Sequence, residues 1–166
     1  LNRHLPADIR AIEGWGADEG FDSNRSAKRK TYCYSLYVSG REMPLKDRYS
    51  VRVEDAPSLE VLQKKAKLFE GEHDFKAFCS SGSEVKTTTR TVYSLDIIES
   101  GNEITFSVTG SGFLYNMVRI IVGTLIEVSE GKIKTDDVDG IIASCNRNKA
   151  GRTAPACGLY LNKVYY

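Results

Sequence analysis

Between Leu114 and Ile126 the chain carries a single charged side chain, Arg119, inside the run FLYNMVRIIVGTLIEV that spans residues 113–128. A helix so apolar on every face belongs in a core rather than on a surface. Burying a guanidinium is expensive unless it is paired; stripping a buried ion of its partner costs about 3–5 kcal/mol. The residue types therefore predict a carboxylate or phosphate aimed at Arg119. Two readings stand at this point: a structural ion pair, or an arginine that holds a reacting carboxylate. The planar fork suits the second task, because it can grip a carboxylate through two hydrogen bonds and keep it ionised.

Other local chemistry is basic. Residues 24–30 read Asn-Arg-Ser-Ala-Lys-Arg-Lys, ending in Lys28, Arg29 and Lys30, and Arg147, Lys149 and Arg152 form a second group with no acid among them. Such clusters can meet phosphates through a sequence-independent electrostatic attraction, although an ordinary solvated surface reads the same way. The net charge of +1 does not by itself announce a nucleic-acid binder. Cys33, Cys79, Cys145 and Cys157 are widely spaced and form no CxxC pair, so they read as reduced thiols of a cytoplasmic protein. With only His4 and His73 available, a histidine triad or a zinc site is not expected. No apolar run is long enough to span a bilayer, and no signal peptide opens the chain at Leu1.

The elements that must position these groups follow from periodicity. The 166 residues, 41% of them hydrophobic, suit one domain, 1–166. Residues 1–25 look irregular. Thr31 to Val38 alternates as a strand with Tyr32, Tyr34, Leu36 and Val38 on one face. Pro57 opens a helix carrying Leu59, Leu62, Ala66 and Phe69, which Gly71 stops. Thr91–Glu99 and Glu103–Thr109 form a hairpin around Ser-Gly-Asn. The apolar helix follows and ends at Gly131; Thr135 caps a further helix, and Gly158–Tyr166 is the last strand. The order β-α-β-β-α-α-β predicts an α+β fold of ferredoxin-like, split βαβ type: an antiparallel sheet with helices on one face. The other face would be open to a ligand or another domain. His73 and Asp74, between a helix and Phe75, are expected to cap a turn rather than act as an acid–base pair, and Met117 is expected to pack in the core.

Four segments, in order, carry a resemblance. They are Phe21-x10-Tyr32-x-Tyr34 with the basic Lys-Arg-Lys before it; Gly71-Glu72-His73-Asp74-Phe75-x-Ala77-Phe78; Gly112-Phe113-Leu114-Tyr115-Asn116-Met117-Val118-Arg119 running into Ile121-Val122-Gly123; and Ala150-Gly151-Arg152-Thr153-Ala154-Pro155-Ala156-x-Gly158-Leu159-Tyr160-Leu161. Together they closely resemble the TruA family of tRNA pseudouridine synthases, from Leu1 to Tyr166. The resemblance implies the C-terminal part of such an enzyme. Family members begin with a further domain whose Gly-Arg-Thr-Asp motif supplies the nucleophilic aspartate. Gly151-Arg152-Thr153 looks like that motif, but Ala154 stands in the aspartate's place and the surroundings match the family's C-terminal ending. No residue here inherits the nucleophile, so the chain alone is expected to be inactive.

Further implications concern roles. Arg119 would pair with the aspartate of the missing N-terminal domain, and Tyr32 would line the base pocket, stacking on the extracted uracil. A tyrosine hydroxyl titrates near pH 10, so stacking is the safer assignment than general base; an ordinary packing aromatic is the plainer alternative, and it is kept for Tyr34. Lys28, Arg29 and Lys30, together with Lys86 and Arg90 in or after the Ser/Thr-rich loop Ser80–Thr89, are phosphate-binding candidates. The chemistry requires no metal or organic cofactor. Partners implied are the tRNA anticodon stem-loop and a second copy in a homodimer, with no membrane. A non-catalytic RNA-binding or dimerisation module of the same fold is the competing reading; the aromatic signature of RRM strands is not found.

Overall fold

The structure, a computed structural model, describes residues 1–82 and 85–166. Its ordered elements are strand β1 (Arg29–Val38), a short helix α1 (Pro44–Asp47), β2 (Val51–Val53), helix α2 (Leu59–Ala66), β3 (Gly71–Asp74), β4 (Thr89–Ser100), β5 (Glu103–Gly110), helix α3 (Met117–Ser129), helix α4 (Val138–Ser144) and β6 (Leu159–Tyr165). The four long strands lie in the order β6-β1-β5-β4, each antiparallel to its neighbour. This is the split βαβ sheet that the element order predicts.

Alternation along the strands sorts the two faces. Tyr34 and Leu36 of β1, Leu95 and Ile97 of β4, and Ile104, Phe106 and Val108 of β5 point toward the helices and are buried. There they pack with Leu62 and Ala66 of α2 and Ile141 and Ile142 of α4 around α3, in which only Arg119, Glu127 and Ser129 escape full burial. The opposite face carries hydroxyls, among them Thr31 and Thr109, whose Oγ1 atoms meet across the strands at 2.8 Å.

Three expectations change. The sheet is mixed rather than wholly antiparallel: β2 joins β1 in parallel, Leu36 facing Val51 and Val38 facing Val53. The connection of residues 39–50, with α1 inside it, is long enough to bring the chain back in the same direction. A second short strand, β3, borders β4, with His73 opposite Arg90. Both strands are too short for alternation to reveal. Finally, Thr135 caps nothing; residues 135–137 form a 3₁₀ turn leading into α4. Helix α2 begins at Leu59, two residues after Pro57, and is capped by Ser58, which accepts the Val61 N–H at 3.5 Å. No helix of the described residues is long and apolar enough to cross a membrane.

Candidate functional site

The site grows from the start of α3. Residues 114–116 make a turn, and Asn116 takes the left-handed conformation, φ 61°, which asparagine tolerates better than most residues. Helical hydrogen bonding begins there, with Ile120 N–H donating to Asn116 C=O at 3.0 Å. Arg119 lies one turn in, half-buried. Its Nε donates to the Ala154 carbonyl at 2.6 Å and its Nη1 to Asn116 Oδ1 at 3.0 Å. Asn116 Nδ2 in turn donates to Ser80 Oγ at 3.0 Å. Among the described residues no carboxylate comes within 4.0 Å of the guanidinium. Two neutral oxygens thus hold Nε and Nη1, while Nη2 has no hydrogen-bond partner among the described residues.

The carbonyl that grips Nε belongs to a strap, residues 150–158, pressed against α3. A Cβ at Gly123 would lie 1.9 Å from the Arg152 carbonyl oxygen, and one at Gly151 would lie 2.6 Å from Thr124 Cα. Only glycine permits these backbones to approach so closely. Thr124 Oγ1 accepts the Gly151 N–H at 2.9 Å and donates to the Ile120 carbonyl at 2.7 Å. Farther on, the buried Tyr34 hydroxyl donates to the Pro155 carbonyl at 2.8 Å, and Gly158 sits against the Tyr34 ring, where a Cβ would come within 2.7 Å. Tyr34 is therefore a packing residue, as expected. Burial pushes its hydroxyl well above the ordinary tyrosine range, reinforced by Cys157 and opposed by Arg119 and Arg152.

Tyr32 occupies the next position on the same face of β1. Half-buried, it meets Phe113 edge to face, with centroids 5.3 Å apart and planes at 89°. Tyr32, Phe113, Tyr115, Asn116 and Leu159 line a cleft of about 240 Å3 with Met117, itself almost fully buried, at its base. Asn116 is thus shared: it lines the cleft and holds the arginine.

The basic candidates separate. Alternation places Lys30 on the Tyr32 side of β1 and Arg29 on the other, where its guanidinium lies 4.1 Å from the Tyr165 ring centroid. Lys28 is exposed just before the strand and anchored through its N–H to the Tyr165 carbonyl at 2.8 Å. Arg90 folds back on its own loop, donating to the Thr87 and Thr89 carbonyls at 2.9 and 2.6 Å, and lies against Gly112 beside Phe113. Lys86 is exposed; the middle of its loop, residues 83–84, lies outside the described residues. Arg147 and Arg152 serve the strap instead. Arg147 donates to Ala150, Gly151 and Thr153, and Arg152 pairs with Glu127 and Glu130. His73 and Asp74 fix a turn, as expected: Asp74 accepts from the Lys76 N–H at 3.0 Å and the Thr88 hydroxyl at 2.6 Å.

Sequence reasoning missed Asn116, Ser80 and the Ala154 carbonyl. A backbone carbonyl leaves no side-chain signal, and Ser80 is one hydroxyl in a loop full of them. Asn116 had only a weak one: asparagine tolerates a left-handed backbone better than most residues.

Comparison with known proteins gives a consistent pattern. A family model described as tRNA pseudouridine synthase matches residues 66–166. The chain is 46% identical over 166 residues to tRNA pseudouridine synthase A of Acetivibrio thermocellus, covering all of this chain and 68% of that protein. The corresponding enzyme of Ruminiclostridium cellulolyticum is 43% identical over 167 residues, with 68% of its length covered. That of Bacillus subtilis is 42% identical over 166 residues, with 67% covered.

Proposed function

The chain belongs to the tRNA pseudouridine synthase family, and from that premise we propose that it forms the arginine-bearing side of an active site that isomerises uridine to pseudouridine in the anticodon arm of tRNA. The C1′–N1 bond of the nucleoside breaks, the uracil turns, and a C5–C1′ bond forms; the C5 hydrogen leaves as a proton and N1 regains one. The base must first leave its stack, which a closed pocket with an aromatic wall rewards.

The observation that carries this reading is the half-held guanidinium of Arg119. Nε and one hydrogen of Nη1 are engaged by neutral oxygens, which orient the fork without neutralising it. The remaining edge can accept a carboxylate through two hydrogen bonds and keep it ionised, as a nucleophile at C1′ requires. That carboxylate is the aspartate of a Gly-Arg-Thr-Asp segment outside these 166 residues. Tyr32 stacks on the detached uracil within the cleft it shares with Phe113 and Asn116. Lys28, Lys30 and Arg90 hold phosphates near it, with Arg29 and Lys86 at the periphery. The enzyme acts as a cytoplasmic homodimer without a cofactor.

Tritium release from tRNA labelled at uridine C5 tests the proposal. The 166 residues alone should release none. Adding the segment with the Gly-Arg-Thr-Asp motif should restore release, and Arg119→Ala should abolish the restored activity. Turnover by the 166 residues alone, or by the Arg119→Ala assembly, would refute the assignment.

A further inference from the structure

We infer that Asn116 is a positioning residue for this reaction, fixing the angle at which Arg119 presents its free edge to the incoming carboxylate. The inference rests on the reading of Arg119 given above.

Three features of Asn116 converge. Its backbone sits at φ 61°, ψ 9°, a conformation in which glycine is the unstrained choice. It occupies the N-cap of α3, where an asparagine side chain ordinarily accepts a backbone N–H from the first turn, yet it makes no such bond. Its amide is spent instead on two side chains: Oδ1 accepts from Arg119 Nη1 at 3.0 Å, and Nδ2 donates to Ser80 Oγ at 3.0 Å.

The Arg119 contact determines which way the amide faces. A flipped amide would turn its NH2 group toward the guanidinium, donor against donor, whereas the Ser80 hydroxyl can meet either end and serves to anchor the amide. Ser80 is fixed from behind, its N–H donating to the Tyr115 carbonyl at 3.1 Å. The chain Ser80, Asn116, Arg119 therefore has one satisfactory arrangement. Without the Asn116 amide, Arg119 is held at Nε alone and its outer nitrogens can swing about that single bond. The nucleophile would then be presented over a range of angles, and misplacement of about 1 Å can reduce a rate by about 100-fold. Asn116 also lines the Tyr32 cleft, so the same side chain sets the arginine against the base.

Asn116→Gly separates positioning from folding, because glycine suits the left-handed backbone and removes only the amide. In the protein encoded by the complete reading frame, single-turnover tritium release at saturating tRNA should fall about 10- to 100-fold. The tRNA dissociation constant should change far less than the rate, and the thermal midpoint should fall only slightly, the lost hydrogen bonds being partly offset by relief of the left-handed backbone. Ser80→Ala, which frees the amide to rotate, should lower the same rate by a smaller factor, about 3- to 10-fold. A wild-type rate in Asn116→Gly overturns the inference; should that variant fail to fold, a wild-type rate in Ser80→Ala does so. Arg119→Ala, run alongside, distinguishes the two levels. If it is inactive while Asn116→Gly is unimpaired, only the positioning role is lost. If it is active, the reading of Arg119 falls and this inference with it.

Discussion

Arg119 and Ala154 hold each other in both directions: the Ala154 N–H donates to the Arg119 carbonyl at 3.1 Å, and Arg119 Nε donates to the Ala154 carbonyl at 2.6 Å. The strap is therefore tied to backbone and side chain of the same residue. The Arg119 side chain is placed only as well as the strap is seated.

Seating depends on close glycine packing. Gly123→Ala brings a methyl group to 1.9 Å from the Arg152 carbonyl oxygen, a backbone atom that cannot swing aside. It should destabilise by about 3 kcal/mol or more, seen as a lower urea midpoint. Gly140→Ala in α4 is the matching control, since nothing lies within 4 Å of the added carbon. It should leave the midpoint unchanged or raise stability by about 0.5–1 kcal/mol.

Stacking and hydroxyl chemistry at Tyr32 can be told apart. Tyr32→Phe keeps the edge-to-face contact with Phe113 and should retain most single-turnover activity in the complete enzyme. Tyr32→Ala removes the platform and should weaken base capture by about 1–3 kcal/mol. A collapse of activity in Tyr32→Phe would assign the hydroxyl a chemical role instead.

The two faces of β1 predict different salt behaviour for adjacent residues. Lys30→Ala should weaken tRNA binding and reduce the slope of log K against log salt by about 1, measured by filter binding across a salt series. Arg29→Ala, at the periphery, should also weaken tRNA binding and lower the slope, by less than Lys30→Ala does, and should in addition lose its contact with Tyr165, reducing stability by about 0.5–1 kcal/mol.

Stability should respond to pH at both extremes. The Thr88 hydroxyl, more than the Lys76 N–H, draws the Asp74 carboxyl below its usual value against a smaller opposing effect of burial. Its stabilising contribution is present above the unfolded carboxylate pKa, about 4, and is lost as pH falls through the lower folded value. Tyr34 behaves in the opposite sense. Its folded pKa is raised chiefly by burial, so its contribution holds below about pH 10 and is lost as pH rises further. Asp74→Asn should flatten the acid arm of the stability profile, and Tyr34→Phe the alkaline arm.

The parts of the fold that sequence revealed are those with long periodic runs. β1, β4, β5, β6 and α3 each repeat a pattern over seven residues or more, and their order implied the sheet. β2 and β3 contain three and four residues; they exist because a neighbouring edge offers hydrogen bonds, a property of the partner. In the site, Arg119 was legible because a charge in an apolar helix demands an explanation. The expected anion was not found around it, and two neutral oxygens were: Ala154 C=O arrives from far along the chain, and the Asn116 amide depends on a left-handed turn. Arg147 and Arg152 looked like a phosphate cluster because their strap and glutamate partners are close only in space.

β1 changes companions midway along one edge, pairing with β6 through Tyr34 and with β2 from Leu36 onward. The contacts that build the cleft and seat the strap on β1 fall mainly on the β6 half: Phe113 against Tyr32, and Pro155 and Gly158 against Tyr34. The stretch from Ser39 to Pro57, with α1 and β2, attaches to the other half and serves as a separate bracket. Natural variation in length should therefore accumulate there, where loops can lengthen at little entropic penalty, while the spacing between Tyr32, Arg119 and Ala154 stays constant.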